Sequence, residues 1–191
     1  MADEVERHPQ RPGGKTPPES RPLVACSPQA TQQPATATTT ALARLRPRII
    51  VLVGLPGCGK TTFVERLRAP VLSSDHIRRL LADDENNQLI HNRVFATIRY
   101  LLRHRLAIGR PITYIDATHL TPSERRPYII LGQIYNCSVE ALYFDVPVEV
   151  CKQRNRQRAR VVPEEVIDRM AARLVPPSKK EGFSRIWVVR A

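Results

Sequence analysis

The junction at residues 49–61 constrains this chain most. There an unbroken aliphatic run, Ile49-Ile50-Val51-Leu52-Val53, passes directly into Gly54-Leu55-Pro56-Gly57-Cys58-Gly59-Lys60-Thr61. A continuous apolar run of this length suits a strand buried on both faces, as in a parallel sheet covered by helices. The glycines allow a tight turn in which successive backbone N–H groups converge on an anion. The spacing is G-x-x-x-x-G-K-[ST], so a helix should start at Lys60 and add its positive end to the cradle. Lys60 would then reach the β- and γ-phosphates of a nucleoside triphosphate, and the Thr61 hydroxyl would hold Mg²⁺. The expected nucleotide site is Gly54, Leu55, Pro56, Gly57, Cys58, Gly59, Lys60, Thr61 and the adjoining Thr62.

Downstream, helical and strand patterns alternate. Helices are expected over 60–68, 75–82, 87–108, 121–135, 148–158 and 163–174, and strands over 70–73, 111–116, 139–144 and 186–189. With residues 49–53 this makes five strands, and such alternation gives a parallel sheet with helices on both faces. The expected fold class is therefore an α/β three-layer P-loop sandwich with a helical, arginine-bearing lid. The expected domain spans 47–191.

Residues 1–46 are rich in Pro, Thr, Gln and Ala with few large apolar side chains. A segment of that composition buries too little surface to offset its ordering entropy, so it is expected to be a disordered tail. The chain carries a net charge of +12; removing the tail's six basic and four acidic residues leaves +10 on the remainder. A surface so basic favours anionic partners such as nucleic acid, nucleotides or sugar phosphates. Cys26, Cys58, Cys137 and Cys151 fit no zinc spacing and read as reduced thiols of a cytoplasmic protein. No apolar stretch approaches the length needed to span a membrane.

Two carboxylates fall at strand ends, where open α/β sheets place their sites. Asp116 closes Ile112-Thr113-Tyr114-Ile115-Asp116, suited to ordering the metal shell or the acceptor. Asp75 follows Val71-Leu72-Ser73-Ser74 and suits either a helix N-cap or a general base; the two roles are compatible. Arg78 lies one helical turn on and could anchor an anion beside it. Within Cys151-Lys152-Gln153-Arg154-Asn155-Arg156-Gln157-Arg158-Ala159-Arg160, Arg154 and Arg158 would share one face of a continuing helix, and Arg156 and Arg160 another. Such crowded cations need an anion, and a triphosphate clamped by a lid helix would supply it.

Taken together, the segments 54–62, 73–79, 115–126, 151–170 and 176–183 resemble the 5′-kinase domain of polynucleotide kinases and the related zeta-toxin-like P-loop kinases. The resemblance implies ATP and Mg²⁺, with Lys60, Asp75 and Arg158 catalytic. Asp75 would take the proton of a 5′-hydroxyl, and Arg154 and Arg158 would clamp ATP. Arg78, Asp116 and Arg126 would bind the acceptor, Arg125 would face the same channel, and Thr61 and Asp116 would serve the metal. His119 stands where that family usually carries Asn. The expected acceptor is a polynucleotide 5′-OH end. A small-molecule kinase acting on a sugar or nucleotide, and an ATP-dependent nucleic-acid-binding switch, are the other readings.

Overall fold

The computed structural model describes residues 46–190; the expected tail at 1–46 lies outside the described residues but for Arg46. Five parallel strands form one sheet: β1 (Arg48–Val53), β2 (Val71–Ser73), β3 (Ile112–Asp116), β4 (Ser138–Asp145) and β5 (Arg185–Arg190), in the spatial order β2-β3-β1-β4-β5. Six α-helices are described: α1 (Lys60–Arg66), α2 (Ser74–Ala82), α3 (His91–Ala107), α4 (Pro122–Ile134), α5 (Val148–Arg156) and α6 (Glu164–Arg173).

Central β1 shows why both faces must be covered. Its side chains alternate, so Ile49, Val51 and Val53 meet Val94, Ile98 and Leu102 of α3 and Tyr128 and Ile129 of α4. Ile50 and Leu52 point the other way, into a cluster with Val64 of α1, Cys151 of α5, and Leu142 and Phe144 of β4. Each fully buried Val, Leu or Ile contributes about 1.5–3 kcal/mol, so the two clusters fix β1 at the middle of the sandwich. The phosphate loop leaves from its C-terminal end.

Several boundaries differ from the sequence expectation for local reasons. The helix expected over 87–108 is a short 3₁₀ turn, Gln88–Ile90, followed by α3, because the Asn87 side chain accepts from Leu89 N and turns the chain first. Asp75 is not the N-cap of α2: Ser73 is, its hydroxyl accepting from His76 N, which leaves the Asp75 carboxylate free of capping. α4 starts as expected, with Thr121 as cap and Pro122 in its first turn. α5 ends at Arg156 instead of running through Arg158. Buried Asn155 explains this: its amide donates to Val162 O at 2.7 Å and its carbonyl accepts from Val162 N at 3.1 Å. The side chain takes over backbone pairing, and residues 157–162 fold back as a loop.

Candidate nucleotide and acceptor site

The loop between β1 and α1 places three glycines at positive φ, and two of them matter most for its packing. Gly57 has φ +80°, and a Cβ there would sit 2.2 Å from Cys151 O, so the loop packs directly on α5. Gly59 has φ +99° and caps α1 in the left-handed region. The loop therefore lies against the element that carries Arg154.

Lys60 is 7% exposed. Its ammonium donates to Gly54 O at 2.9 Å and Leu55 O at 2.7 Å, and lies 3.4 Å from Cys58 Sγ. All three donors are engaged, so reaching a phosphate requires exchanging carbonyl contacts for phosphate oxygens. Thr61 Oγ1 donates to Asp116 Oδ2 at 2.9 Å. Burial pushes the Asp116 carboxyl above the usual range, while Lys60 and the Thr61 hydrogen bond pull it down. A hydroxyl and a carboxylate side by side are hard oxygen donors suited to Mg²⁺. Among the described residues no group of three or more His, Cys, Asp or Glu is placed to hold a metal. Mg²⁺ usually takes one or two protein ligands beside substrate phosphates, and Thr61 and the Asp116 neighbourhood would supply them here.

A cavity of about 420 Å³ opens at this end of the sheet. Pro56, Gly57, Gly59, Lys60, Thr61 and Thr62 line it, together with Asp75, Arg78 and Asp116 and with Arg154, Arg158 and Arg160. Gly54, Leu55 and Cys58 do not line it. Leu55 and Cys58 are packed into the core, so they shape the loop from beneath, and the Cys58 thiol is shielded. Asp75 Oδ1 accepts from Arg78 Nη1 at 3.0 Å and lies 3.1 Å from Arg160 Nη1. Arg78 is 4% exposed, and its Nε has no hydrogen-bond partner among the described residues.

The expected grouping of lid arginines changes. Arg158 and Arg160 project from the loop after α5, held at the cavity by the Asn155 clasp, so Arg154 and Arg158 do not share a helix face. Arg156 turns away and pairs with Glu164 at 2.7 Å.

Two residues expected at the acceptor stand away from the cavity. Arg126 is exposed and lines a separate depression with Ile130 and Gln133. Arg125 is 0% exposed. It donates through Nε and Nη2 to both Glu181 oxygens at 2.8 Å, and through Nη1 to His119 O, Leu120 O and Val175 O. This lock ties the start of α4 to residues 175–181, leaving Arg125 no hand for a substrate. His119 is likewise internal: Nδ1–H donates to Leu52 O at 2.7 Å, and Nε2 accepts from Tyr128 O–H at 3.3 Å. Desolvation pushes its pKa down to about 4, so the ring is neutral.

Sequence reasoning missed Arg160 as an Asp75 neighbour, along with Thr118, Gln88, His91 and Phe95 on the cavity wall. Thr118, just past β3, was findable from the strand-end rule. Gln88 of the 3₁₀ turn and His91 and Phe95 of α3 come from a segment distant in sequence and carry no local signal.

A parallel sheet ordered β2-β3-β1-β4-β5, with a phosphate loop after β1 and carboxylates just after β2 and at the end of β3, is the α/β P-loop kinase fold. Residues 49–177 match the model of the AAA domain family AAA_33, and the chain belongs to that family. It is similar to L-seryl-tRNA(Sec) kinase of Homo sapiens, 29% identical over 99 residues that cover 51% of this chain and 28% of that protein. With the enzyme of the same name from Methanococcus maripaludis it is 23% identical over 146 residues, covering 71% and 55%. The chain thus spans under two thirds of the length of these curated relatives. Among solved structures, Chaetomium thermophilum Kti12 in complex with ADP-AlF3 superposes with a TM-score of 0.57 at 16% identity, covering 74% of this chain and 88% of that one. A chain of the Pnkp1/Rnl/Hen1 RNA repair complex gives 0.54 at 20% identity, covering 68% and 44%.

Proposed function

We propose that the chain is an ATP- and Mg²⁺-dependent kinase that moves the γ-phosphoryl group to a hydroxyl acceptor, and that the acceptor is the 5′-OH end of a polynucleotide. One observation carries the reading. The Asp75 carboxylate shares a cavity with Lys60 and Thr61, and its Oδ1 is held by two guanidiniums. Oδ2 accepts no hydrogen bond among the described residues, which leaves it able to take the acceptor's proton.

The remaining residues divide the work. Backbone N–H groups of the loop and Lys60 hold the phosphates, and Arg154 and Arg158 offset charge developing on the transferring group. Bound Mg²⁺ would neutralise phosphate charge, with Thr61 as its protein ligand and Asp116 ordering that hydroxyl. Arg78, buried with one N–H unmatched, is suited to a phosphate of the acceptor.

The test is transfer from γ-labelled ATP to 5′-OH RNA, 5′-OH DNA, and a panel of nucleosides and sugars. Label on oligonucleotides supports the polynucleotide acceptor. Label on small molecules alone keeps the kinase and replaces the acceptor. Phosphate release without any acceptor would move the reading to a nucleic-acid-binding switch.

A further inference from the structure

From His91 to Arg110 the chain contains no Asp or Glu but five arginines: Arg93, Arg99, Arg103, Arg105 and Arg110. Helix α3 buries one stripe, Val94, Ile98, Leu102 and Leu106. Only Arg105 is tied down, donating to Thr113 Oγ1 at 2.9 Å and Ile112 O at 3.2 Å. Arg93, Arg103 and Arg110 are exposed, Arg99 is half-buried, and none of the four forms an ion pair among the described residues. Elsewhere on the surface Arg79, Arg156, Arg173 and Arg190 each face a carboxylate, while Arg66, Arg68 and Arg169 are exposed and form no ion pair among the described residues either, so α3 differs in carrying its arginines along one helix that has no acid. Opposite the buried stripe, Tyr100 is exposed with the His104 ring 4.5 Å away, edge-on. Cations interleaved with exposed rings are the elements of a nucleic-acid track, since cations meet phosphates and rings meet bases or sugars.

The position of the helix gives the track a direction. His91 and Phe95, in its first turns, line the cavity that holds Asp75, and α3 packs on α2, which carries Asp75 and Arg78. At 1.5 Å per residue, Arg93 and Arg103 are about 15 Å apart along the axis. That is long enough to meet more than one phosphate of an extended strand.

We propose that the outer face of α3 is the docking track for the sugar-phosphate backbone of a polynucleotide acceptor, whose reacting end enters the cavity past His91. This rests on the proposed kinase reading for what happens at that end, but the docking itself can be read separately.

The experiment measures binding of a 3′-labelled, 5′-OH twelve-nucleotide strand by fluorescence anisotropy across a salt series. It compares the full chain, the triple variant Arg93→Gln/Arg103→Gln/Arg110→Gln, and the charge-matched variant Arg66→Gln/Arg68→Gln/Arg169→Gln. Those control arginines are exposed and lie on α1, just after it, and on α6. In the α3 variant the dissociation constant should rise at least about tenfold, and the slope against log salt should shrink by about 2–3, as expected for losing three phosphate contacts. ATP affinity and melting temperature should stay unchanged, and the control variant should bind nearly as the wild type does. An unchanged salt slope, an equal loss in the control, or no binding by the wild type would overturn the track. Binding through α3 without phosphoryl transfer would keep the track and sink the kinase reading; transfer to oligonucleotides that the α3 variant performs with unchanged KM would do the reverse.

Discussion

Arg160 Nη1 lies 3.1 Å from Asp75 Oδ1, so the loop that carries the phosphate-side arginine Arg158 also touches the carboxylate proposed as base. Nucleotide and acceptor halves of the site are thereby joined through one ion pair, alongside the Arg78 hydrogen bond to the same oxygen. Arg160→Gln should loosen Asp75 and lower kcat by about 10- to 100-fold, the cost of a misplaced catalytic group. ATP affinity should change little, since Arg154 and Arg158 remain. Equilibrium ATP binding beside steady-state kinetics checks this; a large loss of ATP affinity with kcat intact would assign Arg160 to the nucleotide instead.

The Thr61–Asp116 hydrogen bond should set the metal requirement. Asp116→Asn leaves the shape but weakens orientation of the Thr61 hydroxyl, and the Mg²⁺ needed for half-maximal rate should rise about 10- to 100-fold, as for other groups that orient metal ligands. A Mg²⁺ titration at fixed ATP reads this directly, and an unchanged midpoint contradicts it.

Neighbouring Arg125 and Arg126 should behave oppositely. Arg125→Ala strands the Glu181 carboxylate and three carbonyls, costing about 3–5 kcal/mol. For a domain of this size that lowers Tm by roughly 10 °C. Exposed Arg126→Ala should alter stability by under about 0.5 kcal/mol and leave kcat/KM for any acceptor unchanged. Thermal melts and kinetics of the two variants decide.

Burial of His119 makes stability depend on acid. Its folded pKa of about 4 lies below the ordinary 6.5, so between those values the unfolded chain binds more protons. Its contribution is complete above pH 6.5 and is lost as pH falls toward 4, by roughly 3 kcal/mol in all. The ring faces Tyr128, Phe95 and the Leu52 carbonyl, with Lys60 and Arg125 also disfavouring its protonation. His119→Asn should flatten this part of the stability–pH curve, measured by urea unfolding at pH 7 and pH 5.

The sheet, the phosphate loop and both strand-end carboxylates were legible because each is written locally: an apolar run, a glycine spacing, an acid closing a strand. What escaped was set by tertiary packing. Arg125 carries the same sequence signal as Arg126, and only the arrival of Glu181 from 56 residues downstream makes it a lock. The arginines at 154 and 158 keep a helical rhythm, although α5 ends at Arg156. Asn155 ends it by capturing the Val162 backbone, a contact that no periodicity encodes.

The most direct test of the central claim separates binding from chemistry at Asp75. Wild type and Asp75→Asn are compared for ATP affinity and for single-turnover transfer from γ-labelled ATP to a 5′-OH oligonucleotide, with Lys60→Ala as the phosphate-side control. Asp75→Asn should bind ATP as the wild type does and transfer about 10²–10⁴-fold more slowly. Transfer by Asp75→Asn at the wild-type rate would contradict the account, because the carboxylate would then be only a partner for Arg78 and Arg160.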